Sequence, residues 1–166
     1  MWSPYSKRFA NNAVALRKLG IPTVEIIVAG KLISPKRDVV CYRKLEGETL
    51  RNLEKTEARM VAVAGFFAEL HRKGVFFRSA HFGNILELPD GRLGIIDMVD
   101  LTCKGRPLSL KERVRNFRHL TKYKEDRAAL EDFGMGKFVE IYLNGSGLGK
   151  QGERLRKTFV KNGMIH

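Results

Sequence analysis

The sequence predicts one α+β domain. Long segments with apolar residues at helical spacing are separated by short β-branched runs, and these runs come in pairs around turn residues. At 166 residues the chain is long enough for one sizeable core, and 43% hydrophobic with 30% charged residues is a globular composition. No internal repeat is visible.

The elements follow in order. Residues 5 to 19 carry Phe9, Val14 and Leu16 among alanines and basic residues and stop at Gly20 and Pro22, which predicts a first helix. VEIIVAGKLIS and RDVVCYRKL, separated by Ser34-Pro35-Lys36, predict an antiparallel pair of strands. Glu46-Gly47-Glu48 breaks that pattern. From Thr56 to Lys73, Met60, Val61, Ala64, Phe67, Ala68 and Leu70 predict a largely buried helix ended by Gly74, and Gly65 inside it suggests close packing. NILELPDGRLGIIDM predicts a hairpin around Pro89-Asp90-Gly91. Residues 109 to 122 place Leu110, Val114, Phe117 and Thr121 on one helical face beside Lys111, Arg115, Arg118 and Lys122. A last helical region over 126 to 143 then gives way to NGSGLGKQG and a basic tail.

The net charge of +13, from 31 basic and 18 acidic residues, favours anionic partners. Cys41 and Cys103 are far apart with no CxxC pairing, which suggests neither a zinc site nor a disulfide framework and fits a reducing cytoplasm. No apolar run approaches the roughly 20 residues that span a bilayer, so the sequence reads as soluble or peripheral to a membrane.

One constellation points to chemistry. A long buried helix, a loop, Asn84, a hairpin and Asp97 follow one another, and a hairpin between the two residues would bring their side chains to one edge. An amide and a carboxylate are hard oxygen ligands of the type that holds magnesium during phosphoryl transfer.

LHRKGVFFRSAHFGNIL, GIIDMVDL, RFANNAVALRKLGIPTV and YRKLEGETL together resemble the protein-kinase-like superfamily. Within it the chain is similar to the bacterial kinases of lipopolysaccharide inner-core sugars, the Kdo/heptose kinase group, and in particular its "toluene tolerance protein" branch. The resemblance spans most of residues 7 to 124. It implies a fold that is mainly the C-terminal kinase lobe, residues 46 to 166 with a basic helical end, preceded by a truncated N-terminal lobe in residues 1 to 45. It implies ATP and Mg²⁺ as cofactors, Asn84 and Asp97 as magnesium ligands, and Arg43, Lys44 and Leu45 as the hinge that binds adenine through backbone groups. The implied reaction transfers the ATP γ-phosphate to a sugar hydroxyl of the lipopolysaccharide core, by a cytoplasmic protein peripheral to the inner membrane.

The chain departs from the pattern at identifiable positions. His-Arg-Asp-x-x-x-x-Asn lays onto Phe77-Arg78-Ser79-Ala80-His81-Phe82-Gly83-Asn84, so Ser79 stands at the catalytic aspartate. Arg78 keeps the arginine position, and His81 is either a substitute base or a brace for the loop. Asn12 occupies the position of the glutamate that pairs the ATP-binding lysine. The glycine-rich loop and lysine strand would precede the first helix, ahead of Met1, which implies an internal start or a remnant with an incomplete cleft. A catalytically inactive, pseudokinase-type binding protein at an anionic membrane surface is therefore the alternative to the enzyme.

Other features have plainer readings. Asp100 is a second metal ligand or caps the following turn, and His71 sits at a helix end where a cation suits the dipole. GSGLGK lacks the first glycine and the final Ser/Thr of a phosphate loop, because Asn144 and Gln151 stand there, so it reads as a flexible break. Residues 104 to 124 carry eight Lys or Arg against Glu112 alone, a stripe suited to an anionic glycolipid or membrane surface. Nucleic acid is the rival partner, without the interleaved aromatics of single-strand binders.

Overall fold

A computed structural model describes residues 5–165, and it is a mixed arrangement of six α-helices and seven short β-strands. Helix α1 (Tyr5–Lys18) buries Phe9, Ala13 and Leu16, spaced i, i+4 and i+7, while Val14 is exposed. Strands β1 (Glu25–Leu32) and β2 (Arg37–Arg43) pair antiparallel, with Glu25 opposite Arg43. This two-stranded sheet and its turn are largely exposed: Ile27 and Val28 of β1 and Ile33 of the turn all face outward.

Strand β3 (Glu48–Thr49) leads to α2 (Glu57–Arg72), whose amino end is capped by the Thr56 hydroxyl, which accepts the Arg59 N–H. Helix α2 carries the centre of the core through Met60, Val63, Ala64, Phe67 and Leu70. Val61 and Gly65, expected inside, face outward; a Cβ on Gly65 would meet nothing within 4 Å. The close approach on α2 is instead at Ala68, against which Gly145 packs. Gly74, at φ +75, ends the helix as predicted.

Strand β4 (Val75–Phe77) pairs with β7 (Leu101–Cys103), and the predicted hairpin is β5 (Ile85–Glu87) with β6 (Leu93–Ile95). β5 also pairs with β3, giving the order β3-β5-β6. Helix α3 (Leu110–Leu120) starts at a full capping box, in which the Ser109 hydroxyl accepts the Glu112 N–H and the Glu112 carboxylate accepts the Ser109 N–H.

The carboxyl-terminal third differs from expectation. The region read as one helix is two, α4 (Lys124–Phe133) and α5 (Met135–Gly145), because Gly134 takes φ +95 and breaks the ladder. The basic tail is a further helix, α6 (Gln151–Lys161), whose Leu155 and Phe159 are fully buried and whose Phe159 ring lies 4.8 Å from Phe117. Apolar residues four apart among basic ones are an amphipathic pattern that the charge of the tail obscures. No described helix is long and apolar enough to cross a membrane.

Candidate functional site

The loop 78–84 joins β4 to β5 and is held at its start and middle by side chains from distant segments and at its end by its own Asn84. At its start, the Asn116 amide donates to the Phe77 carbonyl at 2.6 Å and accepts the Phe77 N–H at 3.1 Å. The Arg78 N–H donates to the Asp100 carbonyl at 3.0 Å, tying the loop to the turn after β6. In its middle, buried Asp126 accepts the Phe82 N–H at 2.9 Å and receives the Arg51 guanidinium at 3.0 Å. At its end the Asn84 Nδ2 donates back to the Ser79 carbonyl at 3.1 Å.

The hairpin register places Ile85 opposite Ile95, and the Ile96 N–H donates to the Asn84 carbonyl at 3.0 Å. Asn84 and Asp97 therefore lie at the same end of the hairpin. Asp97 adopts φ 53 and ψ 58, the left-handed region, where every other positive-φ residue described is glycine. For a residue with a Cβ that conformation costs about 1–2 kcal/mol, and such strain clusters at functional sites. Asn12 from α1 holds the turn that follows: its Nδ2 donates to the Met98 and Leu101 carbonyls at 2.7 and 2.9 Å.

Between the loop and the Asp97 turn lies a cavity of about 330 Å³. Asp97 and Asp100 stand on its wall with Ser79 and His81, and Arg78, His119, Lys122 and Tyr123 complete it. Neither carboxylate makes an ion pair within 4 Å or a side-chain hydrogen bond among the described residues, so Asp100 does not act as a cap. The cavity is amphoteric, with two carboxylates facing two permanent cations.

Both histidines are held below the usual imidazole range. For His81 the main cause is burial, followed by the Arg51 cation; for His119 it is burial, then Arg115, Arg78 and Lys122. The His81 ring stands edge-on to Tyr123 with centroids 4.7 Å apart, and Arg51 lies over the same Tyr123 ring at 5.1 Å. His81 Nδ1 and His119 Nε2 are buried and have no hydrogen-bond partner among the described residues. Gly83 lets the His81 ring and Arg51 approach the backbone, since a Cβ there would fall 3.1 Å from Nδ1 and 3.2 Å from Arg51 Nη1.

The sequence-predicted residues fall into two groups. Arg78, Ser79, His81 and Asp97 line the cavity, and Asn84 braces the loop beside it while 8% exposed. Arg43, Lys44 and Leu45 lie at the end of β2 and just beyond it: Arg43 pairs with Glu25 at 2.7 Å, Lys44 with Glu46 at 3.3 Å, and Leu45 packs on Gly94. His119, Tyr123, Asp126 and Asn116 were not anticipated. Asn116 had a signal, a polar residue beside Phe117 on the inward face of an amphipathic helix, whereas the other three gave none.

His71 is not the helix-end cation expected. It is fully buried, its pKa is pushed down to about 3 by burial and by Arg113, and its neutral ring bonds Tyr142 at 2.8 Å and Asn116 at 3.2 Å. Among the described residues no group of three or more His, Cys, Asp or Glu is arranged around a common metal position; the amide of Asn84 falls outside that count. No family model matches this chain, and no curated protein matches it.

Proposed function

We propose that the chain is a protein-kinase-like phosphotransferase that uses ATP and Mg²⁺ and acts on a sugar hydroxyl of the lipopolysaccharide inner core. The observation that carries this reading is the hairpin edge, where β5 and β6 bring Asn84 and strained Asp97 to one end beside a cavity. The donor chemistry fits magnesium: Asn84 spends its Nδ2 on Ser79, leaving Oδ1 as the ligating atom, and Asp97 offers a carboxylate without a cationic partner. Backbone groups of Arg43, Lys44 and Leu45 are the proposed adenine contacts. When bound, Mg²⁺ with ATP supplies an activated phosphoryl group whose charge the metal neutralises.

The chain's own residues supply position and proton handling. Asn116 and Asp126 fix the loop, and Arg78 and Lys122 place positive charge on the cavity wall. Neutral His81 takes the proton of the acceptor hydroxyl or orients that hydroxyl while water takes it. The Arg51 cation near Nδ1 favours a lone pair there and a proton on Nε2, which supports the orienting role. The exposed Lys111, Arg115 and Arg118 of α3 fit a protein at the cytoplasmic, anionic surface of the inner membrane.

The second reading is a pseudokinase-type binding protein. Ser79 in place of a carboxylate favours it, as does Asn12, whose amide is committed to Met98 and Leu101. Calorimetry of Mg²⁺-dependent ATP binding tests the site, with Asp97→Ala as control. Binding that Asp97→Ala abolishes is the expected result, and a folded chain that binds no nucleotide sinks the phosphotransferase and leaves the binding protein. Transfer from ATP to isolated inner-core oligosaccharide then separates enzyme from binding protein.

A further inference from the structure

We propose that a second cavity, walled by Arg72, Arg106 and Arg113, is a binding site for a phosphomonoester. This cavity of about 560 Å³ opens where the end of α2, the segment leading into α3 and the turn between α5 and α6 meet. It shares no lining residue with the cavity beside Asp97, and the inference is independent of the phosphotransferase reading.

The first observation is a buried cation without a counter-charge. Arg113 is 1% exposed; its Nε donates to the Leu108 carbonyl at 2.9 Å and its Nη1 to the Tyr142 hydroxyl at 2.8 Å. No carboxylate lies within ion-pairing distance of it among the described residues. Buried charges are normally paired, because the guanidinium has lost its water and needs an anion in exchange.

Arg72 adds a second cation without a counter-charge. It is exposed and forms no ion pair among the described residues, and its stem runs along Gly147, where a Cβ would lie 3.3 Å from its Cδ. The third cation is held in reserve: Arg106 is clasped by Glu112, at 2.9 and 3.1 Å. Arg72 is therefore the guanidinium fork free of an ion pair, and Arg106 becomes a second once an anion displaces Glu112; such forks match phosphate oxygens in donor geometry.

The third observation is the turn itself. Ser146, Gly147 and Leu148 line the cavity within the GSGLGK stretch, which lacks the phosphate-loop pattern in sequence. Gly147 at φ +68 and Gly149 at φ +51 shape that turn, and the Gly147 N–H has no backbone partner among the described residues. The turn feeds the amino end of α6, where the dipole also favours an anion.

Size and lining set the ligand class. A bare phosphate would fill only part of about 560 Å³, and Pro107, Leu108 and Leu148 offer apolar wall for an organic body. A phosphate monoester satisfies both, whether it is a soluble sugar phosphate or the headgroup of phosphatidic acid.

The test uses the full chain with three probes: inorganic phosphate and glucose 6-phosphate by calorimetry, and phosphatidylcholine vesicles with and without phosphatidic acid by co-sedimentation. At least one ester should bind, and Arg72→Ala should weaken it about tenfold. Glu112→Gln keeps the capping box but releases Arg106, so it should tighten binding. Lys122→Ala, on the other cavity, should leave it unchanged. Binding of glucose 6-phosphate alone assigns a soluble ligand and binding of the phosphatidic acid vesicles alone assigns a lipid; either supports the site. Arg113→Met is the direct variant, but its burial threatens folding, so exposed Arg72 carries the decision. Failure of both esters to bind the folded chain overturns the proposal, as does binding indifferent to Arg72→Ala and Glu112→Gln.

Discussion

Asn116 satisfies both backbone polar groups of Phe77, donating to its carbonyl and accepting its N–H. The same Oδ1 accepts from His71, which requires the His71 proton on Nε2. His71 Nδ1 must then accept from the Tyr142 hydroxyl, whose oxygen in turn accepts from Arg113. The result is a directed chain of hydrogen bonds from Arg113 through Tyr142, His71 and Asn116 to Phe77, the residue that opens the 78–84 loop.

Asn116→Ala should cost about 3 kcal/mol, since it leaves the buried Phe77 N–H and the His71 N–H without acceptors and the Phe77 carbonyl with only the Ala80 N–H, at 3.3 Å. Asn116→Asp retains the acceptor but turns a buried carboxylate oxygen toward the Phe77 carbonyl, so it too should fall below the parent protein. Urea denaturation of the three proteins checks the order. A loss within experimental error for Asn116→Ala would show that the chain does not support the loop.

Acid should destabilise the protein through His71. Its folded pKa is about 3 against an ordinary 6.5, so the unfolded chain binds the proton first. The contribution is complete above about 6.5 and is lost as pH falls from there toward 3, with a slope approaching 1.4 kcal/mol per pH unit. His81 and His119 are shifted in the same direction and add to the trend. Stability measured from pH 7 to 5 should therefore fall, and His71→Gln should flatten the curve. An unaltered slope in that variant would locate the titration elsewhere.

Two glycines separate backbone strain from collision. Gly91 at φ +80 has open space around a Cβ, so Gly91→Ala should cost about 1 kcal/mol. Gly74 at φ +75 would place a Cβ 2.1 Å from the Arg106 carbonyl oxygen, so Gly74→Ala should be far more damaging and should impair folding. Thermal denaturation of both variants decides; equal losses would refute the packing of the α2 end against residue 106.

Charge around His81 can be moved in opposite directions. Arg51→Met removes a cation that lowers its pKa, and Asp126→Asn removes a carboxylate that raises it. NMR titration of the His81 ring should shift upward in the first variant and downward in the second. Shifts of the same sign would mean that the loop had rearranged.

The contrast between Asn84 and Asn116 shows what was legible. Asn84 and Asp97 flank a hairpin written in consecutive residues, so local pattern and turn chemistry were enough to bring them together. Asn116 acts on Phe77, 39 positions earlier, and nothing local to either residue announces that contact. Likewise the tail beyond Gly149 read only as basic because charge dominates its composition, while Leu155 and Phe159 close the core against Phe117.

By itself the sequence determined α1, α2, α3, the two hairpins and the edge that carries Asn84 and Asp97. Periodicity, caps and turn residues act over a few positions, and they are written where they act. Only the tertiary structure decided that Arg113 and His71 are buried, that Arg72 and Arg106 meet the 145–150 turn, and that His119 and Tyr123 face the 78–84 loop. A polar group's burial and ionisation depend on partners that distant segments supply, and those partners exist only once the chain has folded.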